Sequence, residues 1–180
     1  MLLSTFNLYV NYLKSPDISF VVAPYITQVV DAGSHNEAFF IPLTVINRGA
    51  RPGTVTSFKL VVTYEPENLQ TDFFAQYYAK QDNALLVGDF FTPMSLSGYS
   101  STSHTICFYP PGSRFGDFFT GTGLYKFQVT AVIANVQGNS QQTITQTFQI
   151  NLTDEMKRVM KTRPDGEYPF PMPVEAVKQP

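Results

Sequence analysis

Two runs of alternating apolar side chains, Phe39, Ile41, Leu43, Val45 and then Phe58, Leu60, Val62, Tyr64, flank the turn-rich link Asn47-Arg48-Gly49-Ala50-Arg51-Pro52-Gly53. No other feature constrains the fold as strongly. A period of two places alternate side chains on opposite faces of a strand, so each run has one face to bury and one to leave for water. Two such strands need a second layer to cover them, which predicts a mainly β, antiparallel sandwich.

Residues 16–152 read as one sandwich domain of strands separated by turn chemistry. Ile18 to Val30 is a strand region broken by Pro24. Pro42 inside the following strand requires an edge, a bulge or solvent at its position, because proline donates no ladder hydrogen bond. Between Glu65 and Gln81 the alternation lapses. Thr71-Asp72 ahead of Phe73, Phe74, Tyr77 and Tyr78 has the spacing of one short capped helix, placed as a crossover between sheets. Strands resume at Ala84 to Val87, Phe91 to Leu96 and His104 to Tyr109. In the last hairpin Tyr125, Phe127, Val129, Ala131 and Ile133 alternate inwards, Gln137 to Ser140 turns, and Ile144, Phe148 and Ile150 return.

Residues 153–180 form a third unit. Thr153 can cap a short C-terminal helix, with Asp154 and Glu155 in its first turn and Lys157, Arg158 and Lys161 towards its end, a distribution that suits the helix dipole. Beyond it an extended Pro-rich tail with Pro169, Pro171, Pro173 and Pro180 is either disordered or laid along a partner or the domain surface. Residues 1–15 are a separate apolar segment, too short to span a bilayer and without the basic start or cleavage site of a signal peptide. Phe6, Tyr9 and Tyr12 ahead of Lys14 match the interfacial end of a membrane anchor that begins upstream. The competing reading is an amphipathic helix packed on the domain.

Charged residues are only 14% of the chain, while 16 Phe and 10 Tyr accompany no Trp, so Ser, Thr, Gln and Asn must supply much of the surface. A net charge of -2 offers no basic excess to neutralise phosphates, which argues against nucleic acid as a partner. The lone Cys107 allows no internal disulfide and reads as a small buried hydrophobe. The chain carries no Gly-rich phosphate loop, no paired cysteines, no His-x-x-x-His and no Gly-x-Ser-x-Gly, so the expectation is a non-enzyme without cofactor. The best metal candidates are Asp31, His35 and Glu37, joined by His104. On a polar interstrand turn such side chains are more often solvated than ligating. Asp89 and Asp117 are the acids to nominate for a hydrolytic pair, although convergence is not a property that sequence shows.

Those acids belong to a triplet of Asp-Phe-Phe sequences, at residues 72–74, 89–91 and 117–119. Of two adjacent phenylalanines on a strand, one enters the core and the other faces out. The outward rings predicted here, Phe91 and Phe119, together with Asp89 and Asp117, form the candidate binding surface. The alternative is that the crossover helix and the C-terminal segment cover the extra rings.

Asn47-Arg48-Gly49 with Pro52-Gly53, followed by Phe91-Thr92-Pro93-Met94-Ser95-Leu96 and Phe108-Tyr109-Pro110, is similar to immunoglobulin-like modules of bacterial cell-surface proteins, including the cell-adhesion-related bacterial domain. The resemblance implies an immunoglobulin-like antiparallel β-sandwich displayed outside the cytoplasmic membrane, with no catalysis. The leading expectation is an extracytoplasmic, membrane-tethered module that works by protein binding or self-association, or as a structural part of an envelope protein. Two other classes fit the composition: a viral or phage coat protein of jelly-roll type, and a module that binds carbohydrate or another small ligand through aromatic loops.

Overall fold

A computed structural model describes residues 2–30, 37–82, 84–112, 119, 121–134, 141–161 and 170–176. The chain is mainly β. Twelve strands form one antiparallel sheet: β1 (Ile18–Val22), β2 (Tyr25–Val30), β3 (Glu37–Asn47), β4 (Gly53–Tyr64), β5 (Leu69–Asp82), β6 (Ala84–Phe90), β7 (Met94–Leu96), β8 (Ser100–Tyr109), β9 (Gly123–Ala134), β10 (Gln142–Leu152), β11 (Phe170–Pro173) and β12 (Glu175–Ala176). Helix α1 (Leu2–Leu8) runs into a π-helical turn, Tyr9–Leu13, and α2 (Asp154–Lys161) follows β10.

The sheet is barrel-like. Its neighbour order is β11-β2-β3-β8-β5-β4-β9-β10-β12, and both ends of that path belong to the one segment 170–176. Met172 pairs with Ile26 on one edge, Phe148 pairs with Ala176 on the other, and the Val174 amide donates to Pro24 O between them at 2.8 Å. The Pro-rich tail is thus laid on the domain surface as a strap that joins the two sheet edges, with Met172 fully buried. Pro171 and Pro173 are tolerated in an edge strand that needs few ladder donors.

The predicted crossover helix is absent. Residues 69–82 are strand β5, paired with β4 over residues 69–74 and then with β8, with a bulge between Ala75 and Tyr77. The broken alternation that suggested a helix is the signature of that bulge, since the extra residue resets which face the side chains take. β3 and β4, though adjacent in sequence, are not neighbours in the sheet. The link between them carries the chain from the β8 side to the β9 side.

Both founding runs face inwards as expected, and so does the last hairpin, in which Phe127 pairs with Phe148 and Tyr125 with Ile150. Phe39 is a hub of the interior: its ring meets Phe73 at 5.0 Å, Phe127 at 5.4 Å and Phe119 at 5.9 Å. Phe127 in turn stacks on Phe148 at 5.1 Å. Pro24 separates β1 from β2, and Pro42 falls opposite that gap, where its missing amide interrupts no ladder. At α2 the Thr153 side chain accepts a hydrogen bond from the Met156 amide at 3.2 Å, the cap that the sequence calls for.

The link after β3 is organised by one buried amide. Asn47 Oδ1 accepts the amides of Asp17 (3.1 Å) and Gly49 (2.9 Å), and Nδ2 donates to the carbonyls of Arg51 (2.8 Å) and Ser97 (3.0 Å). Gly49 does not adopt a positive φ, contrary to the usual meaning of Asn-x-Gly. It is needed because a Cβ there would lie 2.0 Å from Ser15 O, as one on Gly98 would lie 1.9 Å from Ala50 O. Three backbone segments meet at this knot. Lys14 O accepts the amides of Ala50 and Arg51, so Lys14, grouped in sequence with the N-terminal segment, is bonded into the barrel.

Phe148→Ala is expected to cost about 3–5 kcal/mol through lost burial and the cavity left beside Phe127. A loss under about 1 kcal/mol in urea unfolding, far below that range, contradicts the inward register. Asn47→Asp sets an acidic oxygen against two carbonyls and is expected to destabilise by about 3–5 kcal/mol, more than Asn47→Ala. Equal stability of the Asp variant and the wild type at pH 7 contradicts the bonding described.

Candidate functional site

The two outer faces of the barrel differ in chemistry. On the β5-β4-β9-β10 side the outward rows are Gln70, Thr63, Lys126, Gln149; then Asp72, Val61, Gln128, Thr147; then Phe74, Lys59, Thr130, Thr145. This is a polar face. The Thr130 and Thr145 hydroxyls lie 3.1 Å apart, and Lys59 Nζ sits 2.7 Å from the Asp72 carboxylate and 5.8 Å from the Phe74 ring centre. A shallow concavity of about 540 Å3 lies over it, bordered by Lys59, Gln70, Lys126 and Gln128.

On the β3-β8-β5-β6 side the outward row is Phe40, Cys107, Tyr77, Phe90, each paired with the next across adjacent strands. This row is apolar, whereas the next outward pairs along β3 and β8, Pro42 with Thr105 and Thr44 with Ser103, are more polar. Phe40, Cys107 and Ala38 are buried and form a second small core outside the barrel, against which Val29, Tyr77, Ala79 and Tyr109 pack. The Tyr77 ring lies 5.0 Å from Phe90 and 5.8 Å from Tyr109. The row ends on an exposed ring, because Phe90 keeps 73% of its accessible surface. Burial pushes the Cys107 thiol up to about 12, so it stays protonated and unreactive at neutral pH.

The rule of one ring in and one out holds at 73–74 and 90–91, but the rings named from sequence were the wrong ones. Phe119 is 4% exposed and packs on Phe39 and Tyr125, so it belongs to the core. Phe91 is half-buried, its ring 5.9 Å from Phe58 and 5.2 Å from Tyr78. The outward rings are Phe74, at 40%, and Phe90. The bulge in the β5–β6 pairing, where Tyr77 faces Phe90 and Ala79 faces Val87, sets that parity, and simple alternation does not anticipate it. Asp89 is exposed beside Phe90; Asp117 lies outside the described residues.

Asp31 and His35 also lie outside the described residues, whereas Glu37 is buried at the start of β3. His104 pairs opposite Leu43, about 20 Å along β3 from Glu37 at the usual rise per residue, so the two do not converge. No group of three metal-ligating side chains occurs among the described residues. The His104 ring nitrogen bonds Thr102 Oγ1 at 3.0 Å and borders a groove of about 460 Å3 between Pro24 and Pro42.

The helical segment 2–13 is a third feature. Phe6, Leu8, Tyr9, Tyr12 and Leu13 are all exposed, and the Tyr99 hydroxyl donates to Val10 O. The segment does not pack as an amphipathic helix on the barrel. No helix among the described residues is long and apolar enough to cross a membrane.

No model of a known protein family matches this chain, and no curated protein matches it. Among solved structures, the crystal structure of a Bordetella pertussis protein provisionally assigned as ApaA is similar over 78% of this chain and 98% of that one, at 14% identity and a TM-score of 0.46. A likeness at that level carries no argument about activity.

Proposed function

We propose that this chain is a non-enzymatic, immunoglobulin-like module of an envelope-associated protein, tethered to a membrane through its N-terminal segment on the extracytoplasmic side and acting by protein contact. The observation that carries the reading is the Phe90 ring, which keeps 73% of its accessible surface at the end of an outer row whose first two members, Phe40 and Cys107, are buried. The tether rests on the exposed aromatic segment 2–13, whose exit direction the knot at Lys14 and Asn47 fixes. The extracytoplasmic side rests on the resemblance to bacterial surface modules. A second reading, recognition of a carbohydrate or other small polar ligand, draws support from the hydroxyl and amide groups around the concavity over β4 and β9.

A photoreactive phenylalanine analogue placed at Phe90, and separately at Thr145 on the polar face, tests the contact in membranes of the native host. Adducts to protein are expected from position 90 and not from 145. Adducts only from 145, or from neither, contradict protein contact through the apolar row. In the same preparations the full chain is expected to float with lipid vesicles and residues 14–180 to stay behind; flotation of both refutes the tether.

A further inference from the structure

We propose that the end of the barrel from which segment 2–13 leaves is a docking surface for anionic phospholipid, the segment entering the membrane interface and Lys14, Arg48 and Arg51 meeting lipid phosphates around its base. The proposal rests on the reading of that segment as a tether and names the lipid it takes.

Residues 1–13 hold no charged side chain, and from Thr5 to Leu13 every residue is exposed except Val10, which is half-buried. A protein groove takes one stripe of a helix. Exposure of apolar side chains on all sides suits immersion in lipid instead. At the usual rise the segment is about 18 Å long, enough for one leaflet of a hydrocarbon core about 30 Å thick. Tyr9 and Tyr12 lie at its barrel end, where the headgroup region favours amphipathic rings.

The base of the segment is cationic. Lys14 Nζ donates to Arg48 O at 3.0 Å and Lys14 O accepts the Arg51 amide at 3.1 Å, so three basic residues share one joint. The Tyr99 hydroxyl on Val10 O and the Tyr99 amide on Gly49 O tie the segment to the same joint. β1, β4 and β8 begin at this end of the barrel, and β3, β7 and β9 finish there. In the links 14–17, 48–52 and 97–99 the one acid is Asp17, 3.5 Å from Lys14 Nζ, and the sequence of the β9–β10 link, residues 135–141, adds no charge. Arg48 is exposed and Arg51 half-buried, and among the described residues neither guanidinium is paired with a carboxylate. The opposite end, where β4 passes into β5, carries Glu65 and Glu67. An apolar segment of modest size holds a membrane weakly by itself. A basic patch beside it supplies the second hold, by attraction to anionic headgroups.

The test adds the full chain, diluted from detergent, to vesicles of phosphatidylcholine alone or mixed with phosphatidylglycerol. The chain has no Trp, so Tyr12→Trp supplies one fluorophore whose blue shift reports entry of the segment. At low salt, partitioning is expected to be on the order of tenfold stronger on the anionic vesicles, since each basic residue at such a surface is worth about fivefold. High salt should close that difference. Arg48→Gln combined with Arg51→Gln is expected to abolish it. The joint uses the backbone groups of these residues, so the thermal midpoint should stay. Lys157→Gln, on α2 beyond the far end of β10, should keep the difference. A difference insensitive to salt, one that survives the double substitution, or an equal loss from Lys157→Gln overturns the proposal. Equal blue shift and partitioning on both kinds of vesicle overturn the phosphate contacts and leave the tether standing; no blue shift on either removes both.

Discussion

A sheet that curls until its edges are joined has one interior, and along each strand that interior accepts only alternate side chains. For a chain with 16 phenylalanines this constraint governs everything else. Phe39 gathers Phe73, Phe119 and Phe127, while Phe20 and Phe91 pack on Phe58. Edge-to-face contacts of this kind suit ring quadrupoles and let large side chains fill a core without voids. At residues 73–74 and 90–91 the interior has no place for the neighbouring ring, and Phe74 and Phe90 are left outside. With so few charges available, the outer faces are finished largely with uncharged groups: threonine, glutamine and lysine over β4, β9 and β10, and an aromatic row from Phe40 to Phe90 beside Thr44 and Ser103 over β3, β8, β5 and β6.

Two local devices convert this sheet into a defined object. The buried Asn47 amide satisfies donors and acceptors from three backbone segments, so the crossing between β3 and β4 is held by bonds that have no water to compete with them. The strap 170–176 bridges β2 and β10, tying the C-terminal part of the chain across the gap that twist alone leaves open. The N-terminal helix leaves from the first of these devices, so a force or partner acting on that helix acts on a stiff joint rather than a loose linker.

Much of the fold was legible because it rests on period-two burial. The inward residues of β3, β4, β9 and β10, the break at Pro24 and the Thr153 cap all follow from alternation and local capping chemistry. The β5 region was misread as a helix because its bulge breaks alternation, and a bulge is fixed by pairing with β8 and β6, which are remote in sequence. The bulge in the β5–β6 pairing likewise makes Phe91 look like the outward ring, whereas Phe119 lies outside any strand, where alternation gives no parity. The Asn47-Arg48-Gly49 motif suggests a positive φ, but what requires Gly49 is the carbonyl of Ser15, a tertiary contact that no local rule contains. The closing strap was legible only as one of several places a proline-rich tail could lie.

The central claim is that at residues 73–74 and 90–91 the interior takes one ring and leaves its neighbour, Phe90 above all, accessible from outside. Fluorine NMR on chain labelled with fluorophenylalanine, with a soluble paramagnetic agent, tests it directly. The Phe90 resonance should broaden strongly while Phe73, Phe119 and Phe127 stay sharp. A protected Phe90 resonance, or a Phe119 resonance broadened as much as Phe90, would contradict the account.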